Sequence, residues 1–352
     1  MLTDEDKKVI ESNKKYWATR SSKVQTKVTE MGIKATEEQL KKYYQGSMQR
    51  VIGQFEKTYN KVLSSIEEGK TPTPADLYKL DTYWKMQGQL KEELTKLGDK
   101  QAALLSKRFT EQYQNIYNSL AIPTSGAYST ISTESALQMI NQIWCIDGKS
   151  WSERVWTNTD KLQQALNDNL IDCLLTGKKT TDLKNILQEQ FGASYSRADA
   201  LVRTEMAHIQ TQAARDRYLD YGVQEVEIWA DEDERRCEIR GKLHQKKYPI
   251  GAQVPIPAHP RCRCCIIPVV DEKDVEKLAS AGYNEYEPCF LDNVDFSNNK
   301  DVESAIKKQD TIFVNIYEPT NLTELEEVEF GMNAEFIKPL EGYYDVKAHG
   351  TY

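Results

Sequence analysis

Cys237, Cys262, Cys264 and Cys265, together with His244 and His259, fall within residues 229–268 of a 352-residue chain that has only seven cysteines and four histidines. A thiolate from Cys237 and, beyond a proline-rich stretch, His259-x-x-Cys262-x-Cys264 make up a Cys3His donor set, which suits a tetrahedral zinc ion. Cys265 and His244 are spare ligands. A structural zinc would hold a short loop in shape with little core beneath it. The pattern departs from a zinc knuckle, which usually opens on Cys-x-x-Cys: the third position after Cys237 is Arg240. The same residues also fit a blander description. The cysteines can be reduced thiols buried as small apolar groups, with His259 bonded to backbone.

Other chemistries are narrower. Cys262-Arg-Cys264-Cys265 contains the Cys-x-x-Cys of a zinc deaminase, but that reaction needs His-x-Glu, and Ala207-His208-Ile209-Gln210 lacks the glutamate. His-Glu-x-x-His, a phosphate loop, Gly-x-Gly-x-x-Gly and Gly-x-Ser-x-Gly are all missing. A second cluster is Arg203-Thr204-Glu205 with His208. Glu205 and His208, three apart on a helix, share a face and could relay a proton or hold a metal. The structural alternative is a clamp in which Arg203 and Glu205 fasten the helix to the Asp233–Arg236 turn as paired charges. Arg235, Arg236, Arg261 and Arg263 could face phosphate, or pair with Asp231, Glu232, Asp233 and Glu234.

The elements that must position these groups are mostly helical. Over residues 4–122 apolar side chains recur at three and four, among them Leu80, Trp84, Leu90, Leu94, Leu97, Leu104, Leu105, Phe109, Tyr113 and Ile116. Breaks are expected at Met31-Gly32-Ile33 and at Gly69–Pro74, with Thr73 and Pro74 starting a new helix. Residues 121–133 read as a linker. Helices are expected over 134–146, from Ser152 to Leu175, from Thr181 to a stop at Gly192, and from Ser196 to Tyr221. Val223–Ala230 alternates as a strand does, and Cys265–Val270 is a second strand candidate. Residues 272–280 return to helix, and Thr311–Tyr317 and Tyr343–His349 look like strands.

Composition limits the role. Hydrophobic residues are 39% and charged residues 28%, with a net charge of −8. The first hundred residues carry a surplus of Lys and Arg, and residues 301–352 a surplus of Asp and Glu. The acidic end argues against non-specific nucleic-acid binding by the whole chain, while a basic face in the first half keeps DNA open as a ligand. No run approaches the ~18–20 apolar residues of a membrane span. The charged N-terminus lacks a signal-peptide core. An odd cysteine count with three packed into 262–265 fits a reducing compartment, not a disulfide framework.

Taken in order, a helix with Arg203-Thr204-Glu205, a strand ending in Trp229, then Asp233-x-x-Arg236-Cys237, Gly241 and Pro257-x-His259-Pro260-x-Cys262-Arg263-Cys264 resembles the Mu F-like phage head morphogenesis family, minor head proteins of tailed phages. The resemblance is strong over about residues 145–270. It implies a minor capsid protein at the portal vertex, made in the host cytoplasm and incorporated into the virion. Its partners would be the portal protein, with scaffold, capsid protein or DNA as further contacts. The helical first half would be the docking element, which adds weight to an exposed apolar stripe beside the ordinary expectation that helices bury such faces on each other within the chain. Variable, toxin-like C-terminal domains occur in such proteins.

The sequence thus predicts an α+β, mainly α protein with three parts. Residues 1–122 form a helical docking domain, 134–270 a head-morphogenesis module with a small Cys/His-containing α/β unit, and 271–352 an acidic extension. The expected role is procapsid assembly and DNA packaging or delivery, without catalysis. Alternatives are a metal-dependent hydrolase, a C-terminal effector enzyme carried in the virion, and a DNA-binding module.

Overall fold

A computed structural model describes residues 4–64, 73, 81–120, 131–176, 178–230 and 242–269. Five helices and three strands are described: α1 (Asp4–Ser64), α2 (Asp81–Ser119), α3 (Thr133–Ile140), α4 (Trp151–Thr176), α5 (Thr180–Asp220), β1 (Glu225–Trp229), β2 (Lys247–Pro249) and β3 (Cys265–Pro268). The protein is mainly helical, with one small antiparallel sheet in the order β2-β1-β3. Among the described residues no helix is long and apolar enough to cross a membrane.

Two of the expected breaks are absent. Gly32 lies inside α1, because a glycine between good helix formers costs only about 1 kcal/mol and does not end a helix by itself. Its role is close packing: a Cβ there would sit 2.7 Å from Gln112 Oε1. Gly192 likewise lies inside α5, with open space around the position, and the two helices expected over 181–221 are one. The helix expected over 134–146 ends at Ile140. Residues 272–280, 311–317 and 343–349 lie outside the described residues, as do 69–72 and 74.

The chain divides into two compact units that interleave along the sequence. The unit built from residues 36–107 and 141–202 has a core of Tyr44, Val51 and Phe55 from α1, Met86, Leu90 and Leu94 from α2, Leu162, Leu166 and Leu170 from α4, and Leu183, Leu187 and Phe191 from α5. The four-residue steps put each set on one helical face, and each fully buried leucine contributes roughly 1.5–3 kcal/mol. Several polar groups inside it are hydrogen-bonded. Tyr59 donates its hydroxyl to the carbonyls of Cys173 and Lys178 at 3.0 and 2.8 Å. Asn158 donates to Tyr44 Oη and to the Ser194 carbonyl at 3.1 and 3.0 Å. α4 starts with a capping box: Ser150 Oγ accepts the Glu153 N–H, and Glu153 Oε2 accepts the Ser150 N–H at 2.7 Å.

The apolar stripe on α2 is largely buried within the chain rather than displayed: Leu90, Leu94, Leu105, Phe109 and Ile116 are fully buried, while Trp84 remains 55% exposed. Leu80 lies outside the described residues.

The other unit contains residues 1–35, 108–140 and 203–352, and its described part holds the sheet. Val226 and Ile228 of β1 are fully buried, as their alternation predicts. β1 pairs with β3 in the register Val226–Pro268 to Trp229–Cys265, and with β2 from Glu225–Pro249 to Glu227–Lys247. α5 reaches β1 through a Schellman turn: Gly222, at φ 73°, donates to the Leu219 carbonyl and Val223 to that of Tyr218.

Candidate functional site

Helix α5 carries Arg203, Thr204, Glu205 and His208 near its middle, and the loop into β3 carries Pro257, His259, Pro260, Cys262, Arg263 and Cys264. The two groups meet. The backbone N–H of Arg261 donates to Thr204 Oγ1 at 3.2 Å across 57 positions of sequence. Arg261 holds φ 62°, a left-handed conformation uncommon outside glycine, asparagine and aspartate. The Cys262 N–H closes a turn onto the His259 carbonyl at 3.2 Å.

Within that turn the His259 Nδ1 lies 2.8 Å from the Pro260 carbonyl. A carbonyl only accepts, so Nδ1 donates this bond. Cys262, Cys264 and Cys265 are reduced and buried. A hydrogen bond with the Cys264 thiol, further bonds to backbone at Cys264 and Ala258, and the nearby His259 hold the Cys262 thiol below its ordinary range against the opposing effect of burial. The cysteines are buried and His259 is tied to backbone.

Among the described residues no three His, Cys, Asp or Glu side chains are arranged to hold a metal ion. Cys237, the fourth expected ligand, lies outside them, as do Gly241 and the Asp233–Arg236 turn to which Arg203 and Glu205 were expected to clamp. His244 is not a spare ligand through Nδ1, which accepts the Ala230 N–H at 3.2 Å, and its ring meets Trp229 edge-on at 5.0 Å. Trp229 in turn faces Cys265 across the β1–β3 ladder. The tryptophan thus covers the sheet end next to the cysteines.

Glu205 and His208 are both buried in α5. Burial alone pushes His208 down to about 4, so its imidazole is neutral at pH 7. A polar ladder lies along the same helices. Gln112 Nε2 donates to Thr29 Oγ1 at 2.7 Å, and Thr29 donates on to Gln210 Oε1 at 2.5 Å. Gln25 Nε2 donates to the Ile266 carbonyl of β3 at 2.7 Å and to Tyr218 Oη at 3.2 Å.

Sequence reasoning overlooked a further group in this unit. The Tyr113 hydroxyl donates to Asp216 and that of Tyr117 to Asp220, a repeat of the same four-residue step on α2 and α5. Arg217, 1% exposed, lies between the rings of Tyr117 and Tyr221 at 4.7 and 4.6 Å from their centroids. The matched spacing of 113 with 117 and 216 with 220 was a usable signal, but nothing local says the two helices meet there.

No family model matches the chain, and no solved structure matches it. Among curated proteins, similarity is found to the NAD(+)–arginine ADP-ribosyltransferase EFV of Enterococcus faecalis (strain ATCC 700802 / V583), at 26% identity over 214 residues. The match covers 54% of this chain and 42% of that relative. The expectation of a role without catalysis is corrected by this finding: a partial relative is named as an enzyme.

Proposed function

We propose that this chain is a minor head protein of the Mu F-like kind, acting at the portal vertex in procapsid assembly and in packaging or delivery of DNA. The observation that carries the reading is the Arg261–Thr204 hydrogen bond. It joins the Arg-Thr-Glu helix to the His-Pro-x-Cys-Arg-Cys turn, so two of the segments that carry the resemblance lie together. The test is incorporation. When the full chain is made with its cognate portal, scaffold and capsid proteins, it should sediment with procapsids in a low, fixed copy number. Heads assembled without it, or with it free in the supernatant, would overturn the assignment.

The named relative supports a second activity in the same protein, ADP-ribosyl transfer from NAD to an arginine. In that reaction the bond between the nicotinamide nitrogen and the ribose C1′ breaks and a bond from a guanidino nitrogen to C1′ forms. Nicotinamide leaves and one proton is released. An effector of this class carried in the virion is consistent with the assembly role. Its test is transfer of labelled ADP-ribose from NAD to a small guanidine acceptor by the purified full chain, with nicotinamide released in equal amount. No label and no nicotinamide would leave the chain without this chemistry.

A further inference from the structure

Tyr44, Ser47, Gln101, Asn158 and Ser194 are buried polar side chains of the unit built from residues 36–107 and 141–202. Their bonds can be followed atom by atom. Arg197 Nε donates to Asn158 Oδ1 at 2.6 Å, which fixes the Asn158 amide, so its Nδ2 serves Tyr44 Oη and the Ser194 carbonyl. Tyr44 Oη also meets Gln101 Oε1 at 3.2 Å and Ser194 Oγ at 3.3 Å. A phenol has one proton and two lone pairs, and these contacts use them all. The chain of bonds stops at Gln101, whose Nε2 has no acceptor among the described residues. Turning the amide over moves the open end without closing it, since Tyr44 would then accept Nε2 and leave Oε1 without a donor. Ser47 Oγ, fully buried, has no partner among the described residues either.

The two open groups belong to one place between α1 and α2. The contacts Tyr44–Gln101 and Arg50–Glu93 make these helices antiparallel there. Ser47, one turn from both Tyr44 and Arg50, therefore faces the turn of α2 that precedes Gln101. Side chains lean toward the N-terminus of their own helix, so Gln101 leans toward the level of Ser47 and Ser47 toward that of Tyr44. A buried amide and a buried hydroxyl rarely go without partners, because each then forfeits its bonds to solvent. We propose that Ser47 and Gln101 hold one internal water molecule, which accepts from Gln101 Nε2 and bonds to Ser47 Oγ. Water is the ligand these groups fit: both are neutral, one must donate, and the other can donate or accept. The water carries the chain Arg197–Asn158–Tyr44–Gln101 back to α1, so that α5, α4, α2 and α1 share one continuous set of hydrogen bonds.

The test pairs a crystal structure of the full chain, at a resolution that shows ordered water, with thermal unfolding of S47A. The expected structure has one isolated density peak within hydrogen-bond distance of both the Gln101 amide and Ser47 Oγ. S47A leaves the Tyr44–Gln101 bond in place, and alanine is the better helix former, so propensity alone would raise Tm. Loss of a water-bridged hydroxyl should instead lower it, by on the order of 2 °C. A hydroxyl that is buried without any partner gives the opposite sign, because its removal relieves an unpaired group. Ordered side chains with no density between them, Ser47 Oγ bonded to a carbonyl of its own helix, a direct Ser47–Gln101 bond, or a Tm that does not fall in S47A would each overturn the proposal.

Discussion

Thr204 Oγ1 accepts the backbone N–H of Arg261 at 3.2 Å, linking the middle of α5 to the turn that enters β3. This contact gives the Arg-Thr-Glu triplet a physical role that its charges do not suggest. The threonine, between two charged neighbours, supplies the acceptor for the N–H of a residue held in a left-handed conformation.

Replacing that hydroxyl should separate bonding from shape. T204V keeps the β-branched volume and removes the acceptor, so it should lose about 1 kcal/mol in urea unfolding, a typical net value for one hydrogen bond. T204S should lose much less. Equal losses in both would assign the site to methyl packing instead.

Glycines in the long helices should respond according to their surroundings. Gly192 has open space, so G192A should stabilise by up to about 1 kcal/mol through helix propensity. G32A gains the same propensity but sets a Cβ 2.7 Å from Gln112 Oε1. Gln112 must then turn away and give up its bond to Thr29, and the net change should be destabilising. Thermal unfolding of the two variants side by side checks the difference in sign.

The buried His208 should make stability depend on pH. Its folded value, about 4, lies below its ordinary value of 6.5, so between these two the unfolded chain binds the extra proton. Its contribution is fully present above pH 6.5 and is lost as the pH falls through that window to about 4. The total is on the order of 3 kcal/mol. Because other groups titrate as well, the measurement is the difference between wild type and H208Q in urea midpoint from pH 7.5 to 4.5. Parallel curves would show that the imidazole charges without cost.

Much of this architecture was legible in residue spacing. The helix expected from Ser152 to Leu175 is α4, Trp151–Thr176, and β1 follows from the alternation of Val226 and Ile228. What misled were glycines: Gly32 and Gly192 look like stops, and only the partner helix beside Gly32 shows that it is there for contact. β2 was missed because Lys247-Tyr248-Pro249 is too short to alternate, and lysine with proline is what a protected edge strand carries. At the site, His259, Cys262 and Cys264 were legible as neighbours because they share one short loop, and among the described residues no group of His, Cys, Asp or Glu is arranged to hold a metal ion. It could not bring Arg261 to Thr204, since a backbone N–H leaves no mark in composition. The interleaving of the two units has the same cause, because helix pairing between distant segments is written in neither segment alone.

The most direct test of the assembly role is co-purification of the full chain with its cognate portal protein. A complex of fixed stoichiometry that persists through size exclusion at physiological salt is the predicted result. Two separate peaks at concentrations well above those of the assembling head, with both proteins folded, would contradict it.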